Sequence, residues 1–512
     1  MAKVEKTAKT TLMLTLVIFL SKAFGFVRES IIAAYFGTGM EADAYTASYG
    51  TYYVPILLFG SCISSTLIPM YVDLRSNRGP EQANRLASNA LNLFAAFGLI
   101  VAAAMFLFAD PILSLLYHGF DVEKHALTVE LMRIMLPGLG FAIAALVLLN
   151  ILNAQERFTA AQLTGFPLSV CTICGAVFFS KTYGVQALAW GVFLTGLLQV
   201  VIQLPALKKS YRYQWVFDPA DPMIKKMLIL AVPAILSMSA TEINSLVDKS
   251  MASSLGTGSL SAMNYAFRLV AFVQGILVVP LMTVMFSRMS KRAAYKDKQG
   301  VVKLFRECSE VICAIVLPVT IIAAVLSRGV IRFAFMRGEF NENSLILTSG
   351  VFAMYILGEL FFGIRDLLNR VFHSMQDTKT PMSVALFMVI INIILNLIFK
   401  EIWGLNGLAL STTVSGVISC GLLLWMLRKK AGQIGMKASI IEYCRIGAAS
   451  LVAGAFCLVL RSFVPEPQGF IGIFGYLVLL AGSSMAVYLG AAWLIGSRNI
   501  RNLKSILTRR GA

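Results

Sequence analysis

Runs of about 20 apolar residues recur along this chain, among them 91–108, 381–399 and 471–495, and each can cross a bilayer core of about 30 Å. Such runs exclude a water-soluble fold. Composition agrees, because 58% of the 512 residues are hydrophobic and 14% are charged, whereas soluble chains carry roughly 25% charged residues. The hydrocarbon offers no water to backbone N–H and C=O groups, so the spans must be helices that satisfy those groups internally.

Hydropathy and Gly/Pro punctuation predict about fourteen spans. The first six are 10–36, 43–71, 88–109, 126–152, 158–180 and 186–206. The next six are 224–253, 260–287, 305–327, 345–373, 379–399 and 406–427, and a final pair lies at 441–460 and 469–495. The fold class is an all-α polytopic membrane protein. Lys3, Lys6 and Lys9 before an apolar run imitate a signal peptide, but the run continues past Lys22 and Arg28 without a cleavage site. It reads as a retained first helix.

A net charge of +18 raises the question of nucleic-acid binding, which the placement of the cations answers. They gather in the loops on one side, with Lys208, Lys209, Lys225 and Lys226 in one and Arg428, Lys429 and Lys430 in another. Short cytoplasmic loops are enriched in this way, which places both termini in the cytoplasm and removes any need for a nucleic-acid partner. Cys171 and Cys174 form a CxxC without a second pair, in apolar surroundings, and read as packing residues.

The chain contains an internal repeat. Glu29, Ala33, Gly37, Thr38 and Gly39 recur as Asp248, Ala252, Gly256, Thr257 and Gly258, an offset of about 219 residues. Leu148–Asn150 recurs as Leu367–Asn369, and Gly184, Leu188, Ala189 and Gly196 recur as Gly404, Leu408, Ala409 and Gly416. Six spans per repeat is an even number, so the two copies share one orientation in the membrane. The expected organisation is an N-terminal lobe over 1–222, a pseudo-symmetric C-terminal lobe over 223–432, and a helix pair with a basic cytoplasmic tail over 433–512, the lobes enclosing a central cavity.

Ionisable residues at mid-bilayer cost about 2.5–3.5 kcal/mol each, so those within spans should face protein or water and are functional candidates. Lys22, Arg28, Glu29 and Asp43 belong to the leading pair of spans in the first repeat, and Glu242, Asp248, Lys249 and Arg268 to the leading pair in the second. Lys22, Arg28, Lys249 and Arg268 are candidates for binding an anionic ligand, Arg offering a planar fork that matches phosphate oxygens. Glu29, Asp43 and Glu242 are candidates for gating or ion pairing. A blander arrangement pairs Arg28 with a carboxylate such as Asp43 and lets Lys22 snorkel to an interface.

Asn392 and Asn396 share one helix face, Thr412 and Thr413 follow on the next span, and Asp248 could add a charge. These oxygens suit a monovalent cation such as sodium, and equally suit hydrogen bonding between helices with no ion present. Glu359, Arg365, Asp366 and Arg370 are expected to form ion pairs on the tenth span. No GxxxxGK[ST], HExxH or GxSxG motif occurs, and the loops are short. Transport therefore fits better than chemistry on a substrate, and no bound cofactor is expected.

Four segments carry a resemblance: Ser21–Glu29, Phe36–Gly39 followed by Asp43–Ala44, Asn244–Lys249, and Asn264–Leu269. Through them, and over essentially its whole length, the chain resembles the MurJ/MviN lipid II flippases of the multidrug/oligosaccharidyl-lipid/polysaccharide exporter superfamily. The resemblance implies transport of a lipid-linked peptidoglycan precursor by alternating access, in contact with membrane lipids and with the cell-wall synthesis machinery. It implies a cationic cavity with essential roles for Arg28, Arg268 and Asp43, Lys22 standing where the family often has Arg. It also implies coupling to sodium or to membrane potential, with a sodium site at Asp248, Asn392, Asn396 and Thr412, Asn396 replacing a carboxylate of some members. Phe267, Ile56 and Ser61 stand where better-known members carry charged residues. The rival functions are a flippase for another polyprenyl-linked glycan, a drug/cation antiporter, whose cavity should be acidic, and a membrane glycosyltransferase.

Overall fold

The protein is described by a computed structural model that covers residues 2–501 apart from 209, 283, 284, 286–288, 290, 291, 293, 294, 296, 433, 434 and 436. Lys209, the predicted end of the eighth span beyond 282 and the basic tail from 502 onward are among the residues that lie outside that description. The regular elements among the described residues are helices. The first repeat contains α1 (Ala2–Phe36), α2 (Met40–Asn77), α3 (Pro80–Leu107), α4 (Ala109–Leu116), α5 (Val122–Met135), α6 (Leu139–Ala154), α7 (Phe158–Gln162), α8 (Phe166–Cys174), α9 (Ser180–Tyr183) and α10 (Gln186–Leu207). The second contains α11 (Pro222–Ser253), α12 (Ser259–Leu277), α13 (Lys298–Val325), α14 (Ser327–Phe335), α15 (Glu342–Ser374) and α16 (Lys379–Ala431), followed by α17 (Lys437–Phe463) and α18 (Phe470–Leu494).

Among the described residues, 11 helical stretches are long and apolar enough to cross a membrane. Helices α1 and α11, at 35 and 32 residues, also have spanning length. The 53-residue α16 is two spans joined at Gly404, where φ 56° and ψ −129° leave the helical region. With that break, the described residues of the fourteen predicted spans fall mainly on helix. Pro137 explains why the fourth span is not one straight rod: it sits in a 3-10 turn, Leu136–Gly138, between α5 and α6, where its missing N–H and its ring disturb the ladder.

The repeat is written in the backbone as well as in the side chains. Gly37 and Gly256 both have positive φ, at 55° and 99°, as do Gly184 and Gly404, at 54° and 56°. The two non-glycine residues with positive φ among those described, Glu156 at 60° and Gln376 at 59°, occupy equivalent places after the fourth span of each copy. Helices α3 and α13 are both 28 residues long. Asp121 caps α5 by accepting from Lys124 N at 2.8 Å, and Asn341 caps α15 by accepting from Ser344 N at 3.0 Å.

Next to the repeated positive-φ residue, each copy ties its turn to the end of its sixth span. In the first copy the Arg157 guanidinium donates to Ala206 O. In the second, Asp377 accepts from Lys430 Nζ at 2.7 Å, from Thr380 Oγ1 at 2.6 Å and from Thr380 N at 3.0 Å.

By packing, the chain forms two compact units, one comprising Met1–Ser261 with Arg337–Phe340 and the other Ala262–Met336 with Asn341–Ala512. The repeat boundary near 222 and the packing boundary at 261 differ because α11, the leading helix of the second copy, lies along α2. In the second unit, α13 is the central helix, packed against α15 and α17. Ile312, Val316, Leu367, Phe372 and Ala449 are fully buried around it, and Tyr488 on α18 donates to Ala314 O at 2.8 Å, fastening the terminal pair.

Burial pushes the Asp377 carboxyl up, but the hydrogen bonds from Lys430 and Thr380 outweigh it and hold the group at about 2. A carboxylate depressed in the fold contributes stability above its unfolded value of about 4 and loses it as pH falls toward the folded value. Asp377→Ala is therefore expected to lower stability by about 1 kcal/mol at neutral pH. The gap to wild type should close between about pH 4 and about pH 2, measured by thermal unfolding in detergent.

Candidate functional site: a buried carboxylate and an interior cation cluster

Helix α1 ends in the turn Gly37–Thr38–Gly39, and α2 begins with Asp43 in its first turn. Asp43 does not serve its own helix. It is 1% exposed, its Oδ2 accepts from Gly258 N at 2.7 Å, and its Oδ1 accepts from Ser261 N at 2.9 Å and Ser261 Oγ at 2.7 Å. These donors lie at the start of α12, so Asp43 supplies an anion to the free N–H groups and positive dipole end of another helix. Lys124, 3% exposed, completes the shell with its Nζ 3.5 Å from Asp43 Oδ2. The same ammonium donates to Thr257 Oγ1 at 2.9 Å and lies 5.0 Å from the Phe120 ring centroid. Removing one partner from such a buried pair costs about 3–5 kcal/mol.

Around this pair the two copies interlock through small residues. Glu339 N donates to Ala34 O at 2.9 Å, and Gly338, with φ 57°, leaves no space for a Cβ against the same carbonyl. At the equivalent place in the other copy, Gly119 meets the backbone of Ser253 and Ser254 with equally little space. Between them, a Cβ on Gly258, at φ 92°, would stand 2.5 Å from Thr38 O. Each of these segments belongs to the first compact unit.

Deeper along α1, Arg28 Nη2 contacts Glu29 Oε1 at 2.7 Å, with the Arg28 side chain 11% exposed. Its next electrostatic neighbours are Tyr49 and Tyr45 on α2. Tyr45, Tyr49 and Tyr53 stack along one face of that helix, with centroids 6.0 and 5.6 Å apart. Lys249 reaches the same helix from α11, its Nζ 3.1 Å from where a Cβ on Gly50 would stand, so the missing side chain at Gly50 makes room for the ammonium. Glu242 lies two turns earlier on α11, within electrostatic reach of Lys249. Lys22 is exposed on α1. Arg28 and Lys249 thus meet the 45–50 segment of α2 from two sides. The alternative pairing of Arg28 with Asp43 is not made among the described residues: Glu29 is the partner of Arg28, and Lys124 is the cation at Asp43.

Sequence reasoning missed Lys124, Ser261 and the tyrosine stack. One signal was present for Lys124, since it is a cation on the side of the membrane that the other cations avoid.

In the second unit, Arg268 is half-buried on α12 and Phe267 contacts the Tyr355 ring at 6.0 Å. Asn392 and Asn396 are buried, and their amide oxygens are engaged. Asn396 Nδ2 donates to Asn392 Oδ1 at 2.9 Å, Ser411 Oγ donates to Asn396 Oδ1, and Thr412 Oγ1 donates to Leu408 O at 3.1 Å. Asp248 is buried on α11, in the first unit. Asn392, Asn396 and Ser411 are thus joined in one hydrogen-bonded chain. Among the described residues no group of three or more His, Cys, Asp or Glu is placed to hold a metal. Arg365 and Asp366 pair at 3.2 Å, whereas Glu359, 1% exposed, stays out of that pair.

The family model for the lipid II flippase MurJ matches residues 32–478. This chain belongs to the MurJ lipid II flippase family. A probable lipid II flippase MurJ of Rickettsia prowazekii is 27% identical over 441 residues, covering 85% of this chain and 86% of the relative. The lipid II flippase MurJ of Burkholderia cenocepacia is 26% identical over 499 residues, covering 93% and 95%. Among solved structures, lipid II flippase MurJ in an inward closed conformation matches with TM-score 0.81 and 24% identity over 96% of this chain and 99% of that one. An inward-facing multidrug resistance MATE transporter of the MOP superfamily matches with TM-score 0.69 and 14% identity over 83% and 99%. The fold is therefore that of family and superfamily alike, a multi-pass membrane transporter and not an enzyme.

The interlocked glycines give a test with an internal control. Gly338→Ala and Gly119→Ala should each lower stability by about 1–3 kcal/mol, the range for forcing atoms into packed space. Gly79→Ala, at φ 87° with nothing within 4 Å, should cost about 1 kcal/mol from backbone strain alone. Thermal unfolding of the three variants checks the order.

Proposed function

We propose that this protein moves lipid II from the inner to the outer leaflet of the bacterial cytoplasmic membrane by alternating access. The observation that carries the reading is the approach of Arg28 and Lys249 to one segment of α2, in a chain whose family is named for lipid II flipping. Both are candidates to receive the pyrophosphate, Arg28 through its fork and Lys249 as a point charge. Arg268 and Lys22 add positive potential on the route, while Glu29 and Glu242 keep the cations oriented and partly balanced between cargoes. The polyprenyl tail stays in lipid, and the helix pair α17–α18 offers it an apolar wall.

With both termini in the cytoplasm, the Asp43–Lys124 cluster stands at the outer ends of α1 and α2 and closes that side. Opening it would expose Asp43, Lys124 and the first N–H groups of α12 to water together, so their desolvation costs are relieved as their mutual bonds break. That near-balance suits a gate that must open and reseal in every cycle. For the return step, an inward-negative potential of 100 mV contributes about 2.3 kcal/mol per charge moved, which draws an empty cationic carrier inward. Membrane potential is therefore the proposed coupling force, and no step is routed through sodium. Delivery to the cell-wall synthesis machinery follows from the cargo.

Complementation of a strain depleted of its own lipid II flippase tests the function, the wild type being expected to restore growth and Arg28→Ala to fail. Arg28→Lys should retain part of the activity, because losing the fork weakens phosphate binding by about 1.5–3 kcal/mol, roughly 10- to 150-fold. Failure of a membrane-inserted wild type would replace lipid II with another polyprenyl-linked glycan. In vesicles, replacing sodium by potassium should leave flipping unchanged, whereas collapsing the potential should slow it.

A further inference from the structure

A groove of the first unit lies between α3, α5 and α10, lined from all three helices. It encloses about 990 Å³. Its walls are apolar, formed by Phe106, Val129, Ile134, Trp190 and Phe193, and Phe106 and Trp190 are 42% and 51% exposed. Four polar side chains also line it, Asp110, His125, Glu130 and Arg133.

Their pairing is uneven. Asp110 and His125 satisfy each other, His125 Nε2 lying 2.9 Å from Asp110 Oδ1. Glu130 accepts one hydrogen bond, from Gln186 Nε2 at 3.3 Å, and is otherwise exposed. Arg133 is exposed, and among the described residues it lies over the face of the Phe106 ring, 5.5 Å from the centroid. Glu130 and Arg133 therefore present opposite charges three residues apart on one helix face, without bonding to each other.

Depth makes this costly. Helix α5 rises about 1.5 Å per residue, which puts Glu130 and Arg133 about 12 and 16 Å along the axis from Val122. In a continuous 33-residue span that is the zone where headgroups give way to acyl chains. Side chains lean toward the N-terminus of their helix, so Arg133 leans toward the level of Glu130 and the membrane surface. A guanidinium there, with no carboxylate partner among the described residues, needs an anion at headgroup depth.

We propose that this groove binds an aminophospholipid of the surrounding membrane, a lipid of the phosphatidylethanolamine type. Its phosphate accepts from Arg133, its ammonium donates to the free oxygen of Glu130, and an acyl chain lies along Phe106, Val129, Ile134 and Phe193. The alternation of charge at the mouth selects the headgroup. The carboxylates of Asp110 and Glu130 offset the Arg133 cation, so an anionic lipid gains no net attraction, and a choline headgroup has no N–H to offer Glu130. The site is independent of the route taken by the transported lipid.

The test uses the full-length protein in nanodiscs of equal parts phosphatidylethanolamine, phosphatidylcholine and phosphatidylglycerol, with the retained lipid counted by native mass spectrometry after mild delipidation. Wild type should retain phosphatidylethanolamine at least about tenfold over either competitor, the ratio expected for one charge-assisted hydrogen bond. Arg133→Ala and Glu130→Gln should each abolish the preference, with Arg133→Lys keeping part of it. Equal retention of the three lipids by wild type, or an unchanged preference in the E130Q/R133A double variant, overturns the proposal. Should a variant unfold, the mono-, di- and trimethylated headgroup series on wild type decides the matter: retention falling with each lost N–H supports the site, and a flat series refutes it.

Discussion

A carboxylate withdrawn from water must be met by donors or cations, and Asp43 shows how completely this fold meets one. Two backbone N–H groups, one hydroxyl and one ammonium surround a side chain with almost no solvent contact. The groups come from α2, from the start of α12 and from the first turn of α5, so one charge organises three segments far apart in sequence. The surrounding contacts can then be made of bare backbone, glycine against carbonyl, because the polar cluster fixes the register. In the proposed gate, the same chemistry makes opening reversible. Hydrophobic burial between the same segments would have no comparable return from water on opening, whereas each ion and N–H regains hydration.

The interior cations follow the same rule with a different outcome. Arg28 has a carboxylate neighbour and a bank of tyrosines, and Lys249 rests in the space left by a glycine. Neither arrangement surrounds its cation as Asp43 is surrounded. Glu359 marks the opposite extreme, a carboxyl group buried within the second unit with one oxygen lacking a hydrogen-bond partner.

Much of the fold was legible in the sequence because its signals are one-dimensional. Apolar run length gave the spans, and the recurrence of Gly37–Gly39 as Gly256–Gly258 gave the duplication. The packing boundary was not legible, because α11 belongs to one copy by descent and to the other by its contacts along α2. Of the candidate site, the charged residues could be named but not their partners. Arg28 chose the adjacent Glu29, and Asp43 chose a lysine just ahead of the predicted fourth span, since pairing depends on which face each helix turns. The Asn392–Asn396 cluster was ambiguous for the same reason: its composition suits an ion and interhelical hydrogen bonds alike, and the bond from Asn396 to Asn392 depends on how the helix is turned.

Glu156 and Gln376 hold a left-handed backbone that costs an ordinary side chain roughly 1 kcal/mol, and both copies kept it although glycine would adopt it freely. The residues next to them have diverged to opposite charge, Arg157 and Asp377, yet each still ropes its corner to the final helix of its copy. After duplication, then, chain path outlasted electrostatics. Ancestry in such transporters is better traced through corners and torsions than through charged side chains, which were free to be reassigned once the scaffold held.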